Sequence, residues 1–145
     1  MLLANLFSAK LGVLRGDALF EEGSGLSRNN LATPRATVTL LGFMDRQPSA
    51  AVYLAALPVA GVDGTLGDRM NGTAAEGNLR AKTGTLRWAN SLSGHVRTAA
   101  GERLIFSIML NRYQSAGLGR PAWAELDEIG VMLAEFQGRS DDGAR

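Results

Sequence analysis

Residues 81–90 read AKTGTLRWAN, and Lys82 is the residue among them with chemistry to offer. Of the fifteen basic residues in the chain only two are lysines, so arginine is its habitual cation. A guanidinium is broad and permanently charged, whereas an ammonium is a compact point charge whose pKa burial can tune. Lys82 falls at the end of a strand candidate, where a Thr-Gly turn follows. Such an arrangement can do three things. The ammonium raises the local positive potential, the Thr83 and Thr85 hydroxyls can bind a carboxylate, and Gly84 leaves room for close approach of an extended peptide. A backbone N–H just past the glycine can form half of an oxyanion hole. The tripeptide alone is short enough to recur by chance, so its surroundings decide.

The other candidates are weaker. His95 with the chain's serines and acids would make a Ser-His-Asp set on paper. It falls in the middle of an alternating strand pattern, however, and reads as a half-exposed strand residue. GSG at 23–25 lacks the third glycine and the preceding strand of a dinucleotide site, and NLRAKT lacks the glycine that precedes a P-loop lysine. Glu21 and Glu22 could pair as acid and base, yet adjacent acids in a loop are ordinarily just solvated. With no cysteine and one histidine, disulfides and thiolate metal sites are excluded and a structural zinc site is not expected. No metal and no cofactor is therefore implied. The net charge is +1 with both signs interspersed, which argues against a nucleic-acid or membrane-surface partner, since each needs a concentrated basic face.

The elements that must position Lys82 follow from the patterning. At 145 residues, 46% hydrophobic and with mean hydropathy near zero, the chain suits one domain with a real core. Leu3, Leu6, Phe7 and Leu11 lie at helical spacing, so the start reads as a short amphipathic helix. It has neither the basic opening of a signal peptide nor the length to span a bilayer, and it predicts a packing partner that the chain itself does not supply. Residues 16–30, GDALFEEGSGLSRNN, read as loop. Thr33 and Pro34 then predict a capped helix through Val38, Leu41 and Phe43 to about Arg46. A second helix opens at Pro48, presents Ala51, Leu54 and Leu57, and stops at Pro58. Residues 59–78 are glycine-punctuated, with one helical turn capped by Thr65.

From there the pattern predicts strands at 79–83, 91–98 and 103–111. In the second, Leu92, Gly94 and Val96 share one face while Ser93, His95 and Arg97 share the other. The third, RLIFSIMLN, is apolar enough for a strand covered on both faces. The last two form a hairpin about Gly101. Pro121 opens a final helix striped by Trp123, Leu126, Ile129, Leu133 and Phe136. Residues 1–137 thus form one domain, and residues 138–145 are a disordered tail. The fold class is α+β, an antiparallel sheet flanked by helices.

In this context KTG is one of the three motifs of penicillin-recognising serine enzymes, beside S-x-x-K and S-x-N. Three blocks, EEGSGLSRNNLATP, LPVAGVDGTL and GTAAEGNLRAKTGTLRWANSLSGHV, resemble in order and spacing the C-terminal part of D-alanyl-D-alanine carboxypeptidases/endopeptidases of the class C low-molecular-mass penicillin-binding type. They cover about residues 20–98. The resemblance implies part of a beta-lactamase/transpeptidase-like domain that acts on peptidoglycan stem peptides and is blocked by beta-lactams, in a periplasmic or extracytoplasmic setting. It implies that Lys82, Thr83 and Gly84 are the third motif and that the Thr85 N–H belongs to the oxyanion hole. It also implies that Leu26 and Arg28 line the substrate cleft, with Arg28 facing the carboxylate of a diaminopimelate side chain, and that Arg87 touches the same side chain. For Arg28 the alternative is an arginine that anchors its own loop. No S-x-x-K occurs in the chain. Ser27-Arg28-Asn29 spells S-x-N, but it lies inside the GSGLSR block, whereas the family's S-x-N lies further upstream. The expectation is a C-terminal part that carries one motif of three and is inactive alone, or else a non-catalytic remnant or peptide-binding module.

Overall fold

The computed structural model describes residues 9–14, 16–115 and 119–139, in two compact units, Met1–Tyr53 and Leu54–Arg145. Most of the expected first helix lies outside the described residues, although residues 9–11 are helical.

In the first unit, the loop expected at 16–30 contains one leg of a small antiparallel pair, β1 (Ala18–Leu19) with β2 (Leu31–Ala32). Asp17 sets its base. The Asp17 carbonyl accepts from the Thr33 N–H at 2.8 Å, and its carboxylate takes a bidentate pair of hydrogen bonds from Arg35, each 2.8 Å. Thr33 then caps helix α1 (Pro34–Met44), accepting from the Ala36 N–H at 3.1 Å with Pro34 in the first turn. This is the start that Thr-Pro predicts. Helix α2 (Ala50–Ala55), within which the boundary between Tyr53 and Leu54 falls, is shorter than its pattern suggested.

In the second unit, β3 (Arg80–Leu86), β4 (Ala89–Arg97) and β5 (Arg103–Asn111) form an antiparallel sheet in the order β3-β4-β5. Helix α3 (Trp123–Glu135) packs on one face of it. The register is unbroken: Ala81 pairs with Gly94 and Gly94 with Phe106, while Thr83 pairs with Leu92 and Leu92 with Ile108. Because strand side chains alternate, Ala81, Leu92, Val96 and Phe106 share the face that meets Leu126 and Ala134 of α3. A Cβ on Gly94 would overlap the Arg80 carbonyl and come within 2.6 Å of Ala81 Cα, so the closeness of β3 and β4 requires glycine there.

Three expectations are corrected. The stripe on α3 does not run through Ile129 and Phe136, which are 39% and 45% exposed; the buried positions are Leu126, Asp127, Gly130 and Ala134. A Cβ on Gly130 would come within 3.0 Å of Leu79 Cδ1, so beside the fully buried Leu126 the helix leaves room for Leu79 where it has no side chain. Among the described strands β5 is an edge, and only Phe106 in it is buried, so it is not covered on both faces. Thr65 does not cap a turn either. The short 3-10 turn Gly64–Leu66 has Asp63 at its cap position, with the Asp63 carboxylate accepting from the Val59 N–H at 2.8 Å.

Candidate active site

Lys82, Thr83, Gly84 and Thr85 lie in the body of β3, not in a turn at its end. Gly84 has an ordinary strand conformation and faces Ser91, whose hydroxyl a Cβ on Gly84 would overlap. The glycine therefore lets the strand run on rather than turning it. The first part of the outer edge of β3 is already taken: the Ala81 N–H donates to the Pro58 carbonyl at 3.0 Å, and the Ala60 N–H donates to the Leu79 carbonyl at 2.9 Å. Backbone groups alternate along a strand as side chains do. If Ala81 points outward, then Thr83 and Thr85 also direct their N–H and C=O away from β4. Beyond Ala81 no described strand pairs on that side.

This stretch of edge is where an extended peptide could add as a further strand. The Lys82 ammonium curls to it, donating to the Thr83 carbonyl at 2.7 Å, and the Lys82 side chain is exposed. The Thr83 hydroxyl donates to the Thr65 hydroxyl at 3.0 Å. Thr65 belongs to the DGTL block and is a site neighbour that sequence reasoning misassigned as a cap. Below this, Ser93 and Ser107 share a hydrogen bond of 2.8 Å across β4 and β5. His95 is 4% exposed, not half-exposed, so it belongs to the sheet interior.

In the first unit, Leu26 and Arg28 sit on the loop that joins β1 to β2, and both are exposed, Leu26 at 70%. The two acids of this loop are not merely solvated. The Glu22 carboxylate accepts from the Ser24 and Ser27 N–H groups at 2.6 and 3.0 Å. Glu21 Oε2 accepts from the Ser27 hydroxyl and the Asn29 amide at 2.9 and 2.8 Å. Asn30 closes the base, receiving the Glu21 N–H at 2.7 Å. The loop is thus folded around its own carboxylates, and Arg28 with Leu19, Glu21, Asn29 and Leu31 lines an open hollow of about 510 Å³.

Hydrogen bonding from Ser24 holds the Glu22 carboxyl below its ordinary value of 4.5, and hydrogen bonding from Arg35 holds Asp17 below 3.8. A lowered folded-state pKa stabilises the fold above the ordinary value, and that stabilisation is lost as the pH falls through the folded value. We expect the Ser24 and Ser27 amide shifts in an NMR titration to move with a midpoint below 4.5. A midpoint at or above 4.5 would mean that the loop is not closed on Glu22.

At the other end of β3, Arg87 and Trp88 form the two-residue tip of the β3–β4 hairpin, with the Arg87 guanidinium 5.6 Å from the centre of the Trp88 ring. Among the described residues no group of His, Asp and Glu is arranged to hold a metal ion, and no helix is long and apolar enough to cross a membrane.

The mixed helix and antiparallel-sheet fold matches solved penicillin-binding proteins over part of their length. Penicillin binding protein 4 from Haemophilus influenzae, complexed with a beta-lactam, superposes with a TM-score of 0.74 at 29% identity over 88% of this chain and 31% of its own. A predatory endopeptidase from Bdellovibrio bacteriovorus, acylated by penicillin G, gives 0.68 at 27% identity over 88% of this chain and 35% of its own. The chain belongs to the D-Ala-D-Ala carboxypeptidase 3 (S13) family, matched over residues 4–130. A D-alanyl-D-alanine carboxypeptidase of an Actinomadura species is 45% identical over 93% of this chain, and one from Haemophilus influenzae is 32% identical over 75%. The chain spans about a quarter of the length of each, 25% and 23%.

Proposed function

We propose that this chain supplies the substrate-strand side of a serine D-Ala-D-Ala carboxypeptidase/endopeptidase that acts on peptidoglycan stem peptides in a periplasmic or extracytoplasmic space. The observation that carries the reading is the edge of β3. Thr83 and Thr85 point their backbone groups outward beyond the segment that covers Ala81, with the Lys82 ammonium drawn to the same edge. A stem peptide, or a beta-lactam that imitates its terminus, pairs with this edge. The Thr85 N–H stabilises the oxyanion, and the Thr83 and Thr85 hydroxyls hold the terminal carboxylate. By the family resemblance, Arg87 at the hairpin tip is assigned to the substrate's side chain, and Leu26 and Arg28 of the first unit are likewise assigned to substrate binding, Arg28 to a carboxylate.

Acyl transfer in this class needs a serine activated by a lysine three residues on, and the chain has no S-x-x-K. By itself it binds but does not acylate. The test is mass spectrometry after incubation with a labelled penicillin. We expect no covalent adduct on the 145-residue chain and one adduct per molecule on a longer form that carries S-x-x-K. A stable adduct on the 145-residue chain would overturn the assignment of the nucleophile. Failure of the longer form to label would favour the second reading, a non-catalytic peptide-binding module, which the same lack of S-x-x-K supports.

A further inference from the structure

Trp88 occupies a conformation that its side chain does not favour. Its φ is +65°, in the left-handed region, at a hairpin tip where glycine would be free of strain. A bulky residue is strained there. Core packing does not explain it, because the side chain is 46% exposed. Strained residues of this kind gather where a site uses them.

Trp88 also lines an open groove of about 350 Å³, together with Arg87, Asn90, Tyr113, Gln114 and Arg120. Its walls are fastened. The Arg112 N–H donates to the Trp88 carbonyl at 2.7 Å, the Ser115 hydroxyl donates to Glu125 Oε1 at 2.8 Å, and Arg120 pairs with Glu128 at 2.5 Å. Tyr113 hydrogen-bonds to the same Glu125. Asn90 is the cross-strand partner of Thr85, so the groove begins one residue pair from the KTG stretch.

The lining selects a ligand class. An exposed indole offers a flat apolar face for the C–H side of a sugar ring. The Asn90 and Gln114 amides each offer a donor and an acceptor, as vicinal hydroxyl and acetamido groups require. Arg120 is held by Glu128, so it is the Arg87 guanidinium, 5.6 Å from the Trp88 ring, that sets a positive charge beside the indole and favours a carboxylate on the same ligand. A purely apolar ligand would leave the amides unused, and a simple anion would not need the indole. The net charge of +1 does not supply the wide basic field that a nucleic-acid strand needs.

We propose that this groove binds an amino-sugar unit of a saccharide strand whose carboxylate is free, a unit without a peptide branch of its own, which would hold the wall polymer while peptide branches on neighbouring units meet β3. The choice of saccharide rests on the peptidase reading; the existence of the site does not. The test is an NMR titration of the isotope-labelled chain with peptide-free glycan strands. Shifts are expected at the Trp88 indole N–H and at the Asn90 and Gln114 amides. Trp88→Gly relieves the backbone strain, so the variant should fold at least as well while binding roughly 10-fold more weakly or worse. Gln114→Ala should weaken binding without touching the hairpin. Absence of shifts at millimolar sugar, or unchanged binding by Trp88→Gly, would overturn the site. Equal binding of a neutral chitooligosaccharide or of a single-stranded oligonucleotide would overturn the ligand class. Penicillin labelling of the longer form reads the peptidase assignment separately. Labelling without glycan binding sinks only this inference, and glycan binding without labelling sinks only that assignment.

Discussion

Asp127→Ala is expected to destabilise the chain by about 3–5 kcal/mol, the largest stability effect of any single substitution considered for this fold. Arg69 and Asp127 form an ion pair in which each side chain is only 12% exposed. Arg69 Nε lies 3.1 and 3.0 Å from the two carboxylate oxygens. The guanidinium also lies 4.8 Å from the centre of the Trp123 ring, one helical turn before Asp127 on α3. Arg69 is thus held between a carboxylate and an aromatic face, and it fastens the irregular 67–78 stretch to the helix behind the sheet.

Removing the carboxylate leaves a nearly buried cation without its charged partner Asp127. That penalty, rather than the worth of the pair itself, sets the size of the effect. Replacing both partners by apolar residues of similar volume, Arg69→Met with Asp127→Leu, should recover most of the loss. Urea and thermal melts of the three proteins decide it. For a chain of this length the single variant should melt roughly 10 °C lower. A loss under about 1 kcal/mol would place the pair with exposed salt bridges, which contribute little.

How far such features could be read in advance depended on whether they were local. The Thr33 cap, the Pro34 start and the third strand, Arg103–Asn111, stand where side-chain pattern and turn residues put them. These signals act within a few residues of themselves. The setting of Lys82-Thr83-Gly84 was not legible. A Thr-Gly pair reads as a turn, and only the pairing of Gly84 with Ser91 shows that the glycine makes room for a neighbour inside a strand. The Arg69–Asp127 pair joins residues 58 apart, and no pattern of either segment announces it. His95 misled for a similar reason. Its serine and arginine neighbours suggested a solvated face, yet at 4% exposure it is buried. Thr65 reads as a helix cap by type, although its hydroxyl is spent on Thr83. Trp88 carried no such signal, because strands expected at 79–83 and 91–98 left it inside a longer connection; only the extended β3 and β4 put it at a two-residue tip.

Lys82→Arg, made in a longer form of the protein that carries the nucleophile, should lower the rate of penicillin acylation by a factor on the order of 100 or more while scarcely changing the melting temperature. Both side chains carry a positive charge, so a role confined to long-range potential or to surface charge would survive the exchange. The position on β3 argues that it does not survive. Lys82 is exposed, and its ammonium sits 2.7 Å from the Thr83 carbonyl, on the edge where the substrate strand is proposed to pair. An ammonium meets that carbonyl as a compact point. A guanidinium needs a wider planar berth, and on this edge it would occupy space that the substrate's carboxylate and the attacking serine require. Nor can arginine give up a proton near neutral pH, which removes it from any proton transfer in the acylation step. Stability should be indifferent, because the side chain is solvated and the strand pairing of residue 82 with Ser93 is made by backbone. Acylation rate and melting temperature, measured side by side on both proteins, separate the cases. An unchanged rate would reduce Lys82 to surface charge and remove the β3 edge from the proposed cleft. A lowered rate accompanied by a lowered melting temperature would point instead to damage in the sheet.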